Sequence, residues 1–260
     1  MTLPSEFLPV FVHNALGDAT EMLPAVRVGK VPWRKMLEFC EHLRIAGIGS
    51  LFLEGTSEGL LRRLSQSGRA FGHFLASVPE ASKRTSQCAP FFDSVAADDF
   101  EGAAQVARHA SRKWVQGVEY EEDFLFVELL MQHFFLGADL ARCQALLARY
   151  EQTLQGADDV RWGICKALLE ADAKAFDAGL EIFLSECNDR LKRQVKRELL
   201  LPEAATTVGQ LSVEGLALVR LAERKGLPTQ EDYLHVPSIA REPFPGAVQP
   251  DSWQHLNEED

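Results

Sequence analysis

Residues 119–123, Glu119-Tyr120-Glu121-Glu122-Asp123, place four carboxylates within five positions. Charges this close repel one another unless something offsets them. Three kinds of chemistry answer to such a run. Paired carboxylates serve as general acid and base, or hold a divalent cation, when other side chains converge on them. An acidic patch can instead dock onto a basic partner. The third possibility is the first turn of a helix, where the dipole favours anions by about 0.3–1 kcal/mol each. Tyr120, in the middle of the run, has the character of an interface anchor, while nearby Trp114 fits an apolar stripe and a place in the core. Glu119, Tyr120, Glu121, Glu122 and Asp123 together form the candidate partner-binding site.

The remaining reactive side chains are dispersed. His13, His42, His73, His109, His133, His235 and His255 contain no pair spaced i, i+4. His133 and Asp123 share one helical segment, but ten residues of helix separate them by roughly 15 Å. Cys40, Cys88, Cys143, Cys165 and Cys187 include no CxxC pair, so they read as reduced core residues rather than a zinc site. Gly47-Ile48-Gly49 is followed by Phe52 where a dinucleotide fingerprint needs its third glycine. Phosphate loop, HExxH, EF-hand and GxSxG patterns do not occur. The expectation is a protein that is not an enzyme, with no cofactor and no metal. Arg190, Lys192, Arg193, Lys196 and Arg197 concentrate the opposite charge on one helix, whose buried face Leu191, Val195 and Leu199 would supply.

Helical periodicity must position all of these groups. Apolar or small residues recur at three- and four-residue steps from Phe100 through Ala103, Ala104, Ala107 and Ala110 to Trp114, and from Leu140 through Cys143, Leu147 and Tyr150 to Leu154. The same stripe marks Phe176 to Leu191 and Val213 to Leu221. Residues 124–136 are apolar on nearly every side, which predicts a helix buried in the middle of a bundle, ended by Gly137. Asp99, Asp139 and Asp172 stand at three expected helix starts in a weak internal echo. Strand-like alternation is confined to Ile48–Leu53. The fold class is therefore all-α, a single-domain irregular array of stacked antiparallel helix pairs around a buried central helix. Proline positions divide the chain into an extended or loosely helical lead-in (1–32), an all-α domain (33–240) and a Pro-containing acidic tail (241–260).

The 260 residues carry a formal charge of −11, with 46% hydrophobic and 25% charged residues. An apolar content this high excludes a disordered chain. The acidity disfavours a nucleic-acid partner, and no apolar run reaches the roughly 18–20 residues that span a bilayer. No secretory leader is legible, and a cytoplasmic location is expected. Residues 93–128 hold nine acidic and three basic side chains, and residues 241–260 hold five and one, so the acidity is local.

Three segments resemble a family of bacterial immunity proteins that accompany polymorphic toxins, the immunity protein 49 family. They are residues 85–99 (Thr85-Ser86-Gln87-Cys88-Ala89-Pro90-Phe91-Phe92-Asp93 running to Asp98-Asp99), residues 119–125, and residues 213–222 with Gly226-Leu227, Tyr233 and Val236-Pro237. The resemblance spans roughly 60–240 and concerns patterns of fold, so it transfers no binding residue. It implies a cytoplasmic α-helical protein that binds a cognate toxin tightly and blocks it. A basic, nuclease-type toxin would suit the acidity. The competing expectations are a helical-repeat adaptor for an endogenous complex and an enzyme whose site is assembled across helices.

Overall fold

In a computed structural model, which describes residues 6–244, 246 and 249–256, the N-terminal segment is more regular than its prolines suggest. Leu8–Arg27 form a 20-residue helix, α1, in place of an extended or loosely helical lead-in. Pro9 sits in its first turn, where a missing N–H costs nothing, and the helix continues through Pro24 near its other end. Leu8, Ala15, Ala19, Leu23 and Val26 are its buried stripe. Burial of that face against α2 (Trp33–Glu54) outweighs the proline penalty.

Ile48–Leu53 lie inside α2, so no strand forms there. The glycines of this segment have a packing role. A Cβ on Gly47 would meet the Leu60 carbonyl of α3 (Glu58–Ser77) at 3.2 Å, and one on Gly49 would meet Val12 of α1 at 2.2 Å. Small residues on two faces of α2 therefore let both neighbours approach closely.

The chain continues through α4 (Ala89–Ala96), α5 (Phe100–His109), α6 (Glu121–Phe134), α7 (Leu140–Leu154), α8 (Val160–Glu170), α9 (Ala173–Lys196), α10 (Pro202–Thr206) and α11 (Val213–Arg224). Asp99, Asp139 and Asp172 each accept a hydrogen bond from the backbone N–H three residues on, capping α5, α7 and α9 as expected; Asp159 and Ser212 cap α8 and α11. The stripe of α5 stops short of Trp114, because the helix ends at His109. Gly137, at φ +67°, lies three residues beyond the end of α6.

Residues 124–132 of α6 are buried without interruption, as an all-apolar helix requires. Two polar residues of this helix are buried with it: Glu128 pairs with Arg112 at 2.5 Å and accepts a hydrogen bond from Gln132 at 2.7 Å. The core has a second centre in α3, which packs against α2, α4 and α5. Two buried ion pairs lock that region. Arg44 of α2 binds Asp93 of α4 at 2.6 Å, with Ser67 donating to the same carboxylate, and Arg69 of α3 grips Asp99 through two bonds of 2.6 and 2.7 Å. One hydrophobic cluster runs from Ala19 of α1 to Leu256, giving a single all-α domain with no strand among the described residues.

The described part of the tail contributes to that cluster. Trp253 and Leu256 are buried, and Arg63 and Gln66 of α3 donate to the Leu256 and Ser252 carbonyls. The acidic run Glu258-Glu259-Asp260, with Pro245, lies outside the described residues.

Candidate functional site

The four carboxylates at 119–123 have three different fates. Glu119 points inward from the loop between α5 and α6 and is 7% exposed. Its carboxylate accepts hydrogen bonds from the Ser86 N–H (2.9 Å), the Ser86 hydroxyl (2.8 Å) and the Val115 N–H (3.1 Å), and its carbonyl accepts one from the Trp114 indole at 2.9 Å. Such a group ties the loop to the segment before α4 and is unavailable to a partner. Trp114, half-buried, belongs to this loop anchor while packing on the core.

Glu121, Glu122 and Asp123 occupy the first turn of α6, where the dipole favours them. Glu121 pairs with Arg149 of α7 at 2.5 Å, and Asp123 pairs with Arg161 of α8 at 2.7 Å. Among the described residues Glu122 alone of the four has neither an ion pair nor a hydrogen bond. The patch therefore presents one unpaired carboxylate and not four.

What it presents in addition is apolar. Val118 and Tyr120 flank the inward-pointing Glu119 and are 53% and 74% exposed. Glu119 fixes the backbone between them, and the two ion pairs fix the helical turn that follows. The result is a rigid knuckle made of Val118, Tyr120 and Glu122. A large ring held out on a braced backbone loses little entropy on binding, which is what an interface anchor needs.

The histidines do not converge on a site. His133 lies 3.2 Å from the Lys225 amine, and burial together with that charge lowers its pKa. His235 bridges the Gln210 carbonyl and Asn188, while His73 meets the Arg27 carbonyl and packs on Trp253. Among the described residues no three His, Cys, Asp or Glu side chains come together as metal ligands. The five cysteines are free thiols, four of them buried, and burial pushes Cys40, Cys88 and Cys165 well above the usual thiol range.

One titratable group escaped the sequence reading. Glu214, in the first turn of α11, is partly buried and has no hydrogen-bond or ion-pair partner among the described residues. Burial pushes its carboxyl up, Arg161, Arg44 and Arg190 draw it down, and Asp123 adds to the rise. The charges that act on it sit on four other helices: α2, α6, α8 and α9. The only sequence signal was the capping serine at 212, which places Glu214 in a helical first turn but says nothing of its neighbours.

The basic run on α9 is solvent-facing, with its aliphatic partners largely uncovered. Leu191 is half-buried, but Val195 is 52% and Leu199 69% exposed, so these residues do not form the buried face expected of them. No described helix is long and apolar enough to cross a membrane. Comparisons of the chain with protein-family models, with curated proteins and with solved structures find no match.

Proposed function

We propose that this chain is an immunity protein that binds a cognate bacterial toxin in the cytoplasm and blocks it by tight protein–protein contact. The observation that carries this reading is the knuckle of Val118, Tyr120 and Glu122, an exposed aromatic anchor braced by a buried glutamate and two ion pairs. Tyrosine is enriched among residues that dominate binding energy, and truncating such an anchor costs about 2 kcal/mol or more. Glu122 adds a charge suited to a basic rim on the toxin, favouring rapid encounter more than affinity. The resemblance of residues 85–99, 119–125 and 213–222 to the immunity protein 49 family supports the same reading, as does the lack of any catalytic motif in the sequence.

The test is expression of the gene immediately upstream in a heterologous host, alone and together with this chain. Growth arrest by the upstream product, relieved by co-expression, is the expected result. Tyr120→Ala should weaken the complex by about 30-fold or more, corresponding to at least about 2 kcal/mol, with melting temperature unchanged. Arrest that co-expression fails to relieve removes the reading for that pair. A complex indifferent to Tyr120→Ala moves the contact elsewhere.

A further inference from the structure

One apolar stripe on α9 runs off the edge of the body. Phe176, Leu180, Leu184, Leu191 and Val195 follow one another at four- and seven-residue steps and so share a face. Exposure climbs along that face: Phe176, Leu180 and Leu184 are buried, Leu191 is half-buried, and Val195 is 52% exposed. Leu199 and Leu201, directly after the helix, are 69% and 66% exposed. The face that packs against α8 and α11 thus continues past them, and its far end is left uncovered by the described residues.

Charge surrounds the uncovered end. Arg190, Arg193, Lys196 and Arg197 have no ion-pair partner among the described residues, and Lys192 has only a distant contact of 3.9 Å with Asp189. This cationic setting stands out on a chain whose formal charge is −11.

We propose that the overhanging end of α9, from Asn188 to Lys196 with Leu199 and Leu201, is the docking surface for an acidic amphipathic helix of a partner protein. The occupant needs aliphatic side chains to cover Val195, Leu199 and Leu201, and carboxylates on its two flanks to meet Lys192 and Lys196 on one side of the stripe and Arg190 on the other. A flat bilayer suits the geometry less well, because the open stripe lies on the same face of α9 that the body occupies. A second copy brings the same cations and repels. This surface is separate from the knuckle of Val118 and Tyr120, and it does not depend on the toxin reading.

The probe is a fluorescent synthetic peptide, an amphipathic helix of about five turns with leucine on one face and glutamate on the other, titrated with the full chain. Saturable binding that weakens with salt is expected. Arg190→Glu, Lys192→Glu and Lys196→Glu together, and separately Val195→Ser with Leu199→Ser, should each weaken it at least tenfold without changing the melting temperature. The charge-reversed variant should in turn bind a lysine version of the peptide. No binding, equal binding of a scrambled peptide, or binding insensitive to Val195→Ser and Leu199→Ser overturns the proposal. So does partition of the chain onto phosphatidylglycerol vesicles when the peptide stays unbound.

Discussion

Glu119 and Tyr120 are adjacent in the chain and opposite in role. Removing the Glu119 carboxylate strands two backbone donors and the Ser86 hydroxyl in a buried loop anchor. Each stranded donor costs about 1–3 kcal/mol, so Glu119→Ala should destabilise by at least about 2 kcal/mol in urea unfolding, whereas Tyr120→Ala should stay within about 0.5 kcal/mol of the parent. A stable Glu119→Ala protein would mean that the loop does not need its anchor. The sequence could not separate these neighbours, because the decisive partner of Glu119 is Ser86, 33 residues away. Tyr120 was legible as an anchor candidate from its residue type alone. Glu214 makes a prediction of its own. Its carboxyl titrates above the ordinary 4.5 because burial, with the Asp123 charge, dominates over the pull of Arg161, Arg44 and Arg190. The native state therefore holds this proton more tightly than the unfolded chain does, and the stability it lends falls as pH rises from 4.5 through the raised pKa. Glu214→Gln removes that loss, so its stability relative to the parent should climb over the same interval. A difference that is flat with pH would show that Glu214 titrates normally.

At the scale of the helix, what was local was legible. A capping aspartate acts on a backbone N–H three residues ahead, so Asp99, Asp139 and Asp172 declared their helices directly. The all-round apolar composition of residues 124–136 likewise implied burial, which holds for 124–132 and gives way to half-burial over 133–136. Periodicity fails where a partner is required: it marks the face of α9 that carries Val195 but cannot say whether anything covers it. It fails also at α1, where Pro9 and Pro24 read as punctuation and only the packing on α2 shows otherwise. Gly47 gives this interdependence a measurable form. Alanine there gains about 1 kcal/mol of helix propensity against a Cβ held 3.0 Å from the Arg63 Cβ and 3.2 Å from the Leu60 carbonyl. Valine adds two methyl groups with no space and a poorer propensity, and overpacking costs about 1–3 kcal/mol. Gly47→Val should therefore lower stability by about 2 kcal/mol or more, with Gly47→Ala close to neutral. Equal unfolding midpoints for the two variants would place the α2–α3 contact further apart than 3.2 Å.

For the whole molecule, net charge is a poor guide to what a partner meets. Asp93, Asp99, Glu119, Glu128 and Asp159 are held in buried or half-buried hydrogen-bond and ion-pair networks, so much of the acidity holds the fold together. The cations of α9 are free by comparison, and the helix end that carries them has a different consequence. Five cleavage points for trypsin fall within residues 190–197, on a segment with little tertiary packing to resist local opening. Brief digestion should cut there first and yield one large and one small fragment on a denaturing gel. The fragments should nonetheless migrate together under native conditions, since α11 packs on α4 and Trp253 is buried in the core beside His73 of α3. Scattered early cleavage, or fragments that separate, would refute this. If the cut pieces hold, backbone continuity between α9 and α10 is dispensable, and the protein can be made as two polypeptides that find each other and restore one fold.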